Sequence, residues 1–205
     1  MAKRKMDNML ALAVLVLLWE RPMHPYEMAQ VLRERGKDMS INIKWGSLYT
    51  VIRSLERNGF IEVTRTFREG RRPERTVYAI TEEGREEMRA WLRELIAVPA
   101  KEYPRFEGAL SLAGALPPDE VISLLEERVR RLDGEIAEIN AQLAAAGEHV
   151  ARIFLIEGEY VVAMRHAEAE WIRSLLSEIE AGTLEGLDLW RSFHDQEEGG
   201  EMAEK

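Results

Sequence analysis

The chain has 205 residues, 46% hydrophobic and 32% charged, enough apolar mass for one large or two small domains whose core needs no metal or crosslink. It has no cysteine, which excludes disulfides, thiolate metal sites and thiol nucleophiles and makes a reducing, cytoplasmic setting the simplest reading. Its net charge of −9 is unevenly placed. Residues 1–98 hold 18 Lys and Arg against 14 Asp and Glu, net +4, and residues 99–205 hold 10 against 23, net −13. The first part is suited to phosphates and the second repels them.

A first helix is predicted from Asp7 to Trp19, with Leu10, Ala13, Val14, Leu17 and Leu18 as its stripe and Leu12, Leu15 and Val16 widening it. The apolar run Met9–Trp19 is too short to cross a bilayer, which takes about 20 residues, and lacks a small-residue cleavage site, so neither a membrane span nor a signal peptide is expected. Glu20-Arg21-Pro22 ends this helix. A second opens at His24-Pro25, proline being tolerated at the first helical position, and stops at Gly36.

A third, short helix follows over Lys44 to Gly59. Leu48, Val51, Ile52 and Leu55 fall on one buried face, while Tyr49, Thr50, Arg53, Ser54 and Arg57 point the other way. Ser47 or Gly46 opens it and Gly59 closes it in the left-handed conformation. Hydroxyls, an aromatic hydroxyl and arginines opposite a core stripe suit a helix that enters a major groove. Helix, break, helix, loop and helix within 60 residues make a helix-turn-helix outline.

After Gly59 the period changes to 2. Ile61, Val63 and Phe67, then Thr76, Tyr78 and Ile80, predict a β-hairpin with the basic tip Arg68–Arg75, although Arg65 breaks the apolar set. A hairpin in this place is a wing whose arginines reach a minor groove or the backbone. Thr81 caps a further helix with the stripe Met88, Trp91, Leu92, Leu95 and Ile96, stopped by Pro99. The prolines and charges of 99–105 mark a boundary.

The second half reads as helical: a short helix from Arg105 to Leu112 and a long one from Pro117 to Gly147. The long helix carries Leu125, Val129, Leu132, Ile136, Ile139 and Leu143 at spacings suited to packing along another helix. A last long helix is expected from His149 to Ala181, with Tyr160, Met164, Ala167, Trp171, Leu175 and Ile179 as its stripe. Leu184 to Phe193 adds a small apolar group.

The fold expected is therefore mainly α. An N-terminal winged helix-turn-helix domain over 1–98 (three helices plus a β-hairpin wing) is followed by an α-helical dimerisation and effector domain over 105–193 and a disordered acidic tail over 194–205.

Four ordered motifs carry a family resemblance. Trp45-Gly46-Ser47-Leu48-Tyr49, then Leu55-Glu56-Arg57-Asn58-Gly59-Phe60-Ile61, then Gly70-Arg71-Arg72-Pro73, then Tyr78-Ala79-Ile80-Thr81-Glu82-Glu83-Gly84 resemble the PadR-type winged-helix transcriptional regulators. His24-Pro25-Tyr26-Glu27 is similar to that family's second-helix opening. The second half matches the longer PadR subtype by architecture only. Thr50 stands where the family often has proline, and Ile80 where leucine is usual.

The resemblance implies a homodimeric, sequence-specific DNA-binding repressor of a palindromic operator, released by a small aromatic effector. It implies no enzymatic activity, no cofactor, no metal and no membrane. Candidate DNA contacts are Tyr26, Lys44, Ser47, Tyr49, Thr50, Arg53, Arg57, Arg71 and Arg72. Several have plainer readings: Arg57 satisfying helix-end carbonyls, Tyr49 packing under the wing, Ser47 acting only as a cap. Trp91, Phe106, Tyr160 and Trp171 are candidates for an effector pocket, with core or dimer contacts as the alternative. His166 and Glu170 are one helical turn apart, but no third metal ligand is evident. A winged-helix protein-interaction module without specific DNA binding stands as the alternative function.

Overall fold

A computed structural model describes residues 6–37, 40–41, 43–67 and 75–201, with only the backbone of 67, 75 and 195–201. The chain forms two compact units, Met1–Lys101 and Glu102–Lys205.

In the first unit α1 spans Met9–Glu20, and eight of its residues, Leu10 to Leu15 with Leu17 and Leu18, are buried. A helix apolar on nearly every side must sit at the centre of its unit. It touches α3, α4 and β2, whose ranges follow. Asn8 caps it, accepting from the Leu10 N–H at 2.9 Å. Helix α2, Pro25–Glu34, has proline at its first position and a histidine cap: His24 Nδ1 accepts from the Tyr26 N–H at 3.0 Å.

The third helix starts later than its sequence suggests. Trp45–Ser47 forms a 3-10 turn and α3 spans Leu48–Arg57. Ser47 does not cap α3; its hydroxyl donates to the Lys44 carbonyl at 2.7 Å. Leu48, Val51, Ile52 and Leu55 are buried as their spacing requires. Each such side chain contributes about 1.5–3 kcal/mol when fully buried. Gly59, at φ 76°, lets the chain turn out of α3.

The hairpin pairs β1, Ile61–Phe67, with β2, Arg75–Ile80. Ile61 faces Ile80 and Val63 faces Tyr78, after which the register shifts between Val63 and Arg65. Thr64 is the extra residue at this bulge, and Arg65 beyond it is exposed opposite Val77. Met23 and Tyr78 exchange two backbone hydrogen bonds of 3.0 Å, adding the α1–α2 turn to the sheet. Helix α4, Glu82–Ala97, buries Met88 and Trp91 and leaves Leu95 and Ile96 exposed, so the core stripe is shorter than the periodicity indicates.

Glu20 ties α1 to the end of α2 through Arg35, whose two guanidinium nitrogens donate to its carboxylate at 2.5 and 2.7 Å. That hydrogen bond holds the Glu20 carboxyl below its ordinary value of 4.5. In the unfolded chain the carboxyl has its ordinary value. The stabilisation is therefore complete above that value and is lost as the pH falls through the lower folded one. The pair is partly exposed, so its worth is at most about 1 kcal/mol. Thermal melts of wild type and Glu20→Gln should differ near pH 7, and the gap should narrow as the pH falls below the ordinary carboxylate value towards the lower folded one; a gap that stays constant through that acid range refutes the assignment.

In the second unit α5 spans Arg105–Leu110, followed by a 3-10 turn at Ala113–Ala115 and α6 over Pro118–Gly147. After a 3-10 turn at Arg152–Phe154, α7 runs over Ile156–Glu180 and α8 over Leu187–Glu201. Helices α6 and α7 form an antiparallel pair. Its core is Val121, Leu125, Leu132, Ala169 and Ile172, flanked by the ion pairs Arg128–Glu168, Asp133–Arg173 and Glu135–Arg165.

Two expectations change here. The long helix begins at Ile156 rather than His149. Its buried residues are Ala169, Ile172 and Ile179, while Tyr160, Met164 and Trp171 from the expected stripe are exposed. The backbone is also helical to Glu201, where a disordered tail was expected from 194; residues 202–205 lie outside the described residues. Helix α8 is anchored by Trp190, whose indole N–H donates to the Leu116 carbonyl at 3.0 Å.

Candidate nucleic-acid interface

The geometry of α3 follows from its own sequence. With about 100° between successive residues, Tyr49, Arg53, Arg57, Thr50 and Glu56 share roughly a third of the circumference, opposite the buried stripe. All five are exposed, Tyr49 at 54%. Lys44 is exposed just ahead of the 3-10 turn and Ser47 is half-buried within it. Tyr26, 70% exposed, stands near the N-terminus of α2, the helix packed on α3. The structure thus exposes Tyr26, Lys44, Tyr49, Thr50, Arg53 and Arg57 and turns the Ser47 hydroxyl back on its own chain. Arg71 and Arg72 lie outside the described residues.

Three further features shape this region. The Arg33 guanidinium lies over the Trp45 ring, 4.1 Å from its centroid, joining α2 to the turn that launches α3. Glu56 shares the exposed face with the arginines and moderates its positive potential. Tyr78, half-buried on β2, feels this face from beneath. Burial pushes its phenol up, the Glu56 carboxylate adds to that, and the Arg53 guanidinium opposes it. The adjoining wing is fixed by Thr81, which accepts from the Gly84 N–H at 3.0 Å and donates to the Gly59 carbonyl at 2.7 Å.

The model of the transcriptional regulator PadR-like family matches residues 14–90, from α1 into α4. The "Probable transcriptional regulator Rv1176c" of Mycobacterium tuberculosis is 31% identical over 138 residues, 59% of this chain and 70% of that protein. The chain belongs to the PadR-like family.

The "Negative transcriptional regulator PadR" of Bacillus subtilis is 23% identical over 182 residues, 84% of this chain and 98% of its own length. Structures of Bacillus subtilis PadR with operator DNA and with p-coumaric acid have the same fold, each with a TM-score of 0.68. They are 18% and 17% identical and cover 84% and 83% of this chain and 99% and 98% of their own. The winged helix expected from sequence is the fold observed, followed by helices as in those PadR structures, and membership makes the chain a transcriptional regulator. Among the described residues no helix is long and apolar enough to cross a membrane.

The four aromatics named for an effector pocket have different surroundings within their own units. Trp91 is buried in the core of the first unit. In the second unit Phe106 lies under the Arg128 guanidinium, 3.7 Å from its ring centroid. Tyr160 and Trp171 are exposed along α7.

Proposed function

We propose that this PadR-like regulator is a homodimeric, cytoplasmic repressor without enzymatic activity. Each protomer places α3 in a major groove of a palindromic operator and is released from it by a small aromatic effector. The observation that carries the reading is the exposed face of Tyr49, Thr50, Arg53 and Arg57 opposite the fully apolar stripe of α3. Arg53, mid-helix, is the residue for base edges, since a guanidinium presents two parallel donors that match guanine O6 and N7. Tyr49, Thr50, Lys44, Tyr26 and Arg57 surround it and serve the flanking phosphates. Arg71 and Arg72, from the sequence between the strands, supply the wing's contribution. Bacillus subtilis PadR, a negative regulator solved with operator DNA and with p-coumaric acid, supports both the repressor and the effector parts.

The test is a gel shift on DNA upstream of the protein's own coding sequence, at physiological salt with competitor DNA. Wild type should give a shift that competitor does not remove. Arg53→Ala should weaken it by about 10- to 100-fold in each half-site, from the ~1–3 kcal/mol of one bidentate contact. Adding Arg71→Ala should abolish it while the dimer persists. Binding indifferent to sequence, or unchanged in the double variant, refutes the proposal.

A further inference from the structure

The arginines of the first unit divide by what holds them. Arg21 pairs with Glu27, Arg35 with Glu20, and Arg85 and Arg89 with Glu82. Arg33 has no carboxylate partner among the described residues; its guanidinium lies over the Trp45 ring, 4.1 Å from the centroid. A cation over an aromatic face is held in place without giving its N–H groups to an acceptor. Arg33 is therefore both fixed and able to receive an anion, and it is exposed.

Its place in the unit says which anion. Arg33 stands two turns after Tyr26 on the same side of α2, the helix that touches α3. Trp45 packs against the core of the first unit and opens the 3-10 turn that leads into α3, with exposed Lys44 just before it. In a helix-turn-helix the start of the recognition helix enters the groove while the helix before it crosses the phosphate backbone. Arg33 and Trp45 meet where those two elements join.

We propose that Arg33 binds a DNA phosphate beside the start of α3, and that Trp45 is the positioning residue that sets its guanidinium before DNA arrives. The inference rests on the DNA-binding reading above and adds to it a contact and the means by which that contact is ordered. Ordering a long side chain is ordinarily part of the cost of association; over Trp45 it is met in the free protein. A phosphate is the same at every base pair, so this contact strengthens binding to any duplex and carries no sequence information, unlike that of Arg53.

The probes are two labelled duplexes, one from upstream of the protein's own coding sequence and one with that sequence scrambled. Each is titrated with full-length protein by fluorescence anisotropy from about 50 to 200 mM salt. Arg33→Gln should weaken both duplexes by a similar factor and lower the slope of log affinity against log salt by about 0.9 per half-site. For a dimer on two half-sites that is about 1.8, so the wild-type advantage shrinks about 12-fold over the salt range. Arg33→Lys keeps the charge and should keep the wild-type slope. Trp45→Leu keeps an apolar contact with the core; it should leave the slope unchanged and weaken both duplexes by about 2- to 10-fold per half-site, the cost of ordering one released side chain. Trp45→Phe, with a smaller ring, should fall between. An Arg33→Gln slope equal to that of wild type overturns the proposal whether or not affinity falls, because a residue that only joins α2 to the turn before α3 displaces no counterion. So does a loss confined to the upstream duplex. Wild-type affinity in both Trp45 variants removes the positioning role. Equal binding of the two duplexes by wild type counts against the regulator reading, while the salt slope still decides the role of Arg33.

Discussion

Gly84→Ala should unfold the first unit at a markedly lower temperature than wild type. A Cβ at residue 84 would stand 2.0 Å from the Phe60 carbonyl oxygen and 2.9 Å from the Ile80 side chain. The first of these is backbone and cannot rotate away. It is also held, because the Phe60 carbonyl accepts from the Thr81 N–H at 3.1 Å. The methyl group therefore has to push the start of α4 away from the chain entering β1, breaking the hydrogen bonds that Thr81 makes to Gly59 and Gly84. Overpacking a site that can yield costs about 1–3 kcal/mol, and this one belongs at the upper end. For a unit of this size that corresponds to a fall on the order of 15 °C in Tm. Gly134→Ala is the control. It lies inside α6 with nothing within 4 Å of the new Cβ, and it should be neutral or stabilising by up to about 1 kcal/mol. Equal melting of Gly84→Ala and wild type by calorimetry would show that α4 does not pack this closely on Phe60.

The same contact explains why the first unit was largely readable. Thr81 and Gly84 belong to the motif Tyr78–Gly84, in which a cap residue and a residue without a side chain stand three apart, and both are needed at one junction. Helix α3 was readable because its apolar residues occupy one face only: Leu48, Val51, Ile52 and Leu55 allow a single orientation, and the polar face follows from it. The bulge after Val63 was not, since Arg65 in an alternating run is equally compatible with an ordinary exposed strand. Helix α7 is ambiguous in the sequence for a different reason. It carries apolar residues on two faces about 120° apart, Tyr160, Met164 and Trp171 on one and Ala169, Ile172 and Ile179 on the other. Periodicity finds both and cannot rank them, and the larger side chains favoured the face that the protomer leaves exposed. Large size also drew Trp91 into the effector candidates, although its place is in the core.

The exposed face of α7 leads to the second large effect. Tyr160, Met164 and Trp171 are 66%, 50% and 50% exposed, and with Ala167 they form a seam about 60° wide along one helix. The homodimer proposed above needs an apolar surface between protomers, and this seam offers one. Met164→Glu combined with Trp171→Glu puts two charges on that seam. Both side chains are at the surface, so circular dichroism should show unchanged helix content. Light scattering should show the monomer, because two like charges per protomer then meet across the interface without a partner. A palindrome read by two linked protomers gains about 10²–10⁴ in affinity over one protomer alone, and the variant should lose that much operator binding although every residue of α3 is intact. A variant that keeps the dimer's mass would place the interface elsewhere in the chain. One that becomes monomeric yet holds the operator as wild type does would show that the two half-sites are not read together, and the palindromic part of the proposal would be lost with it.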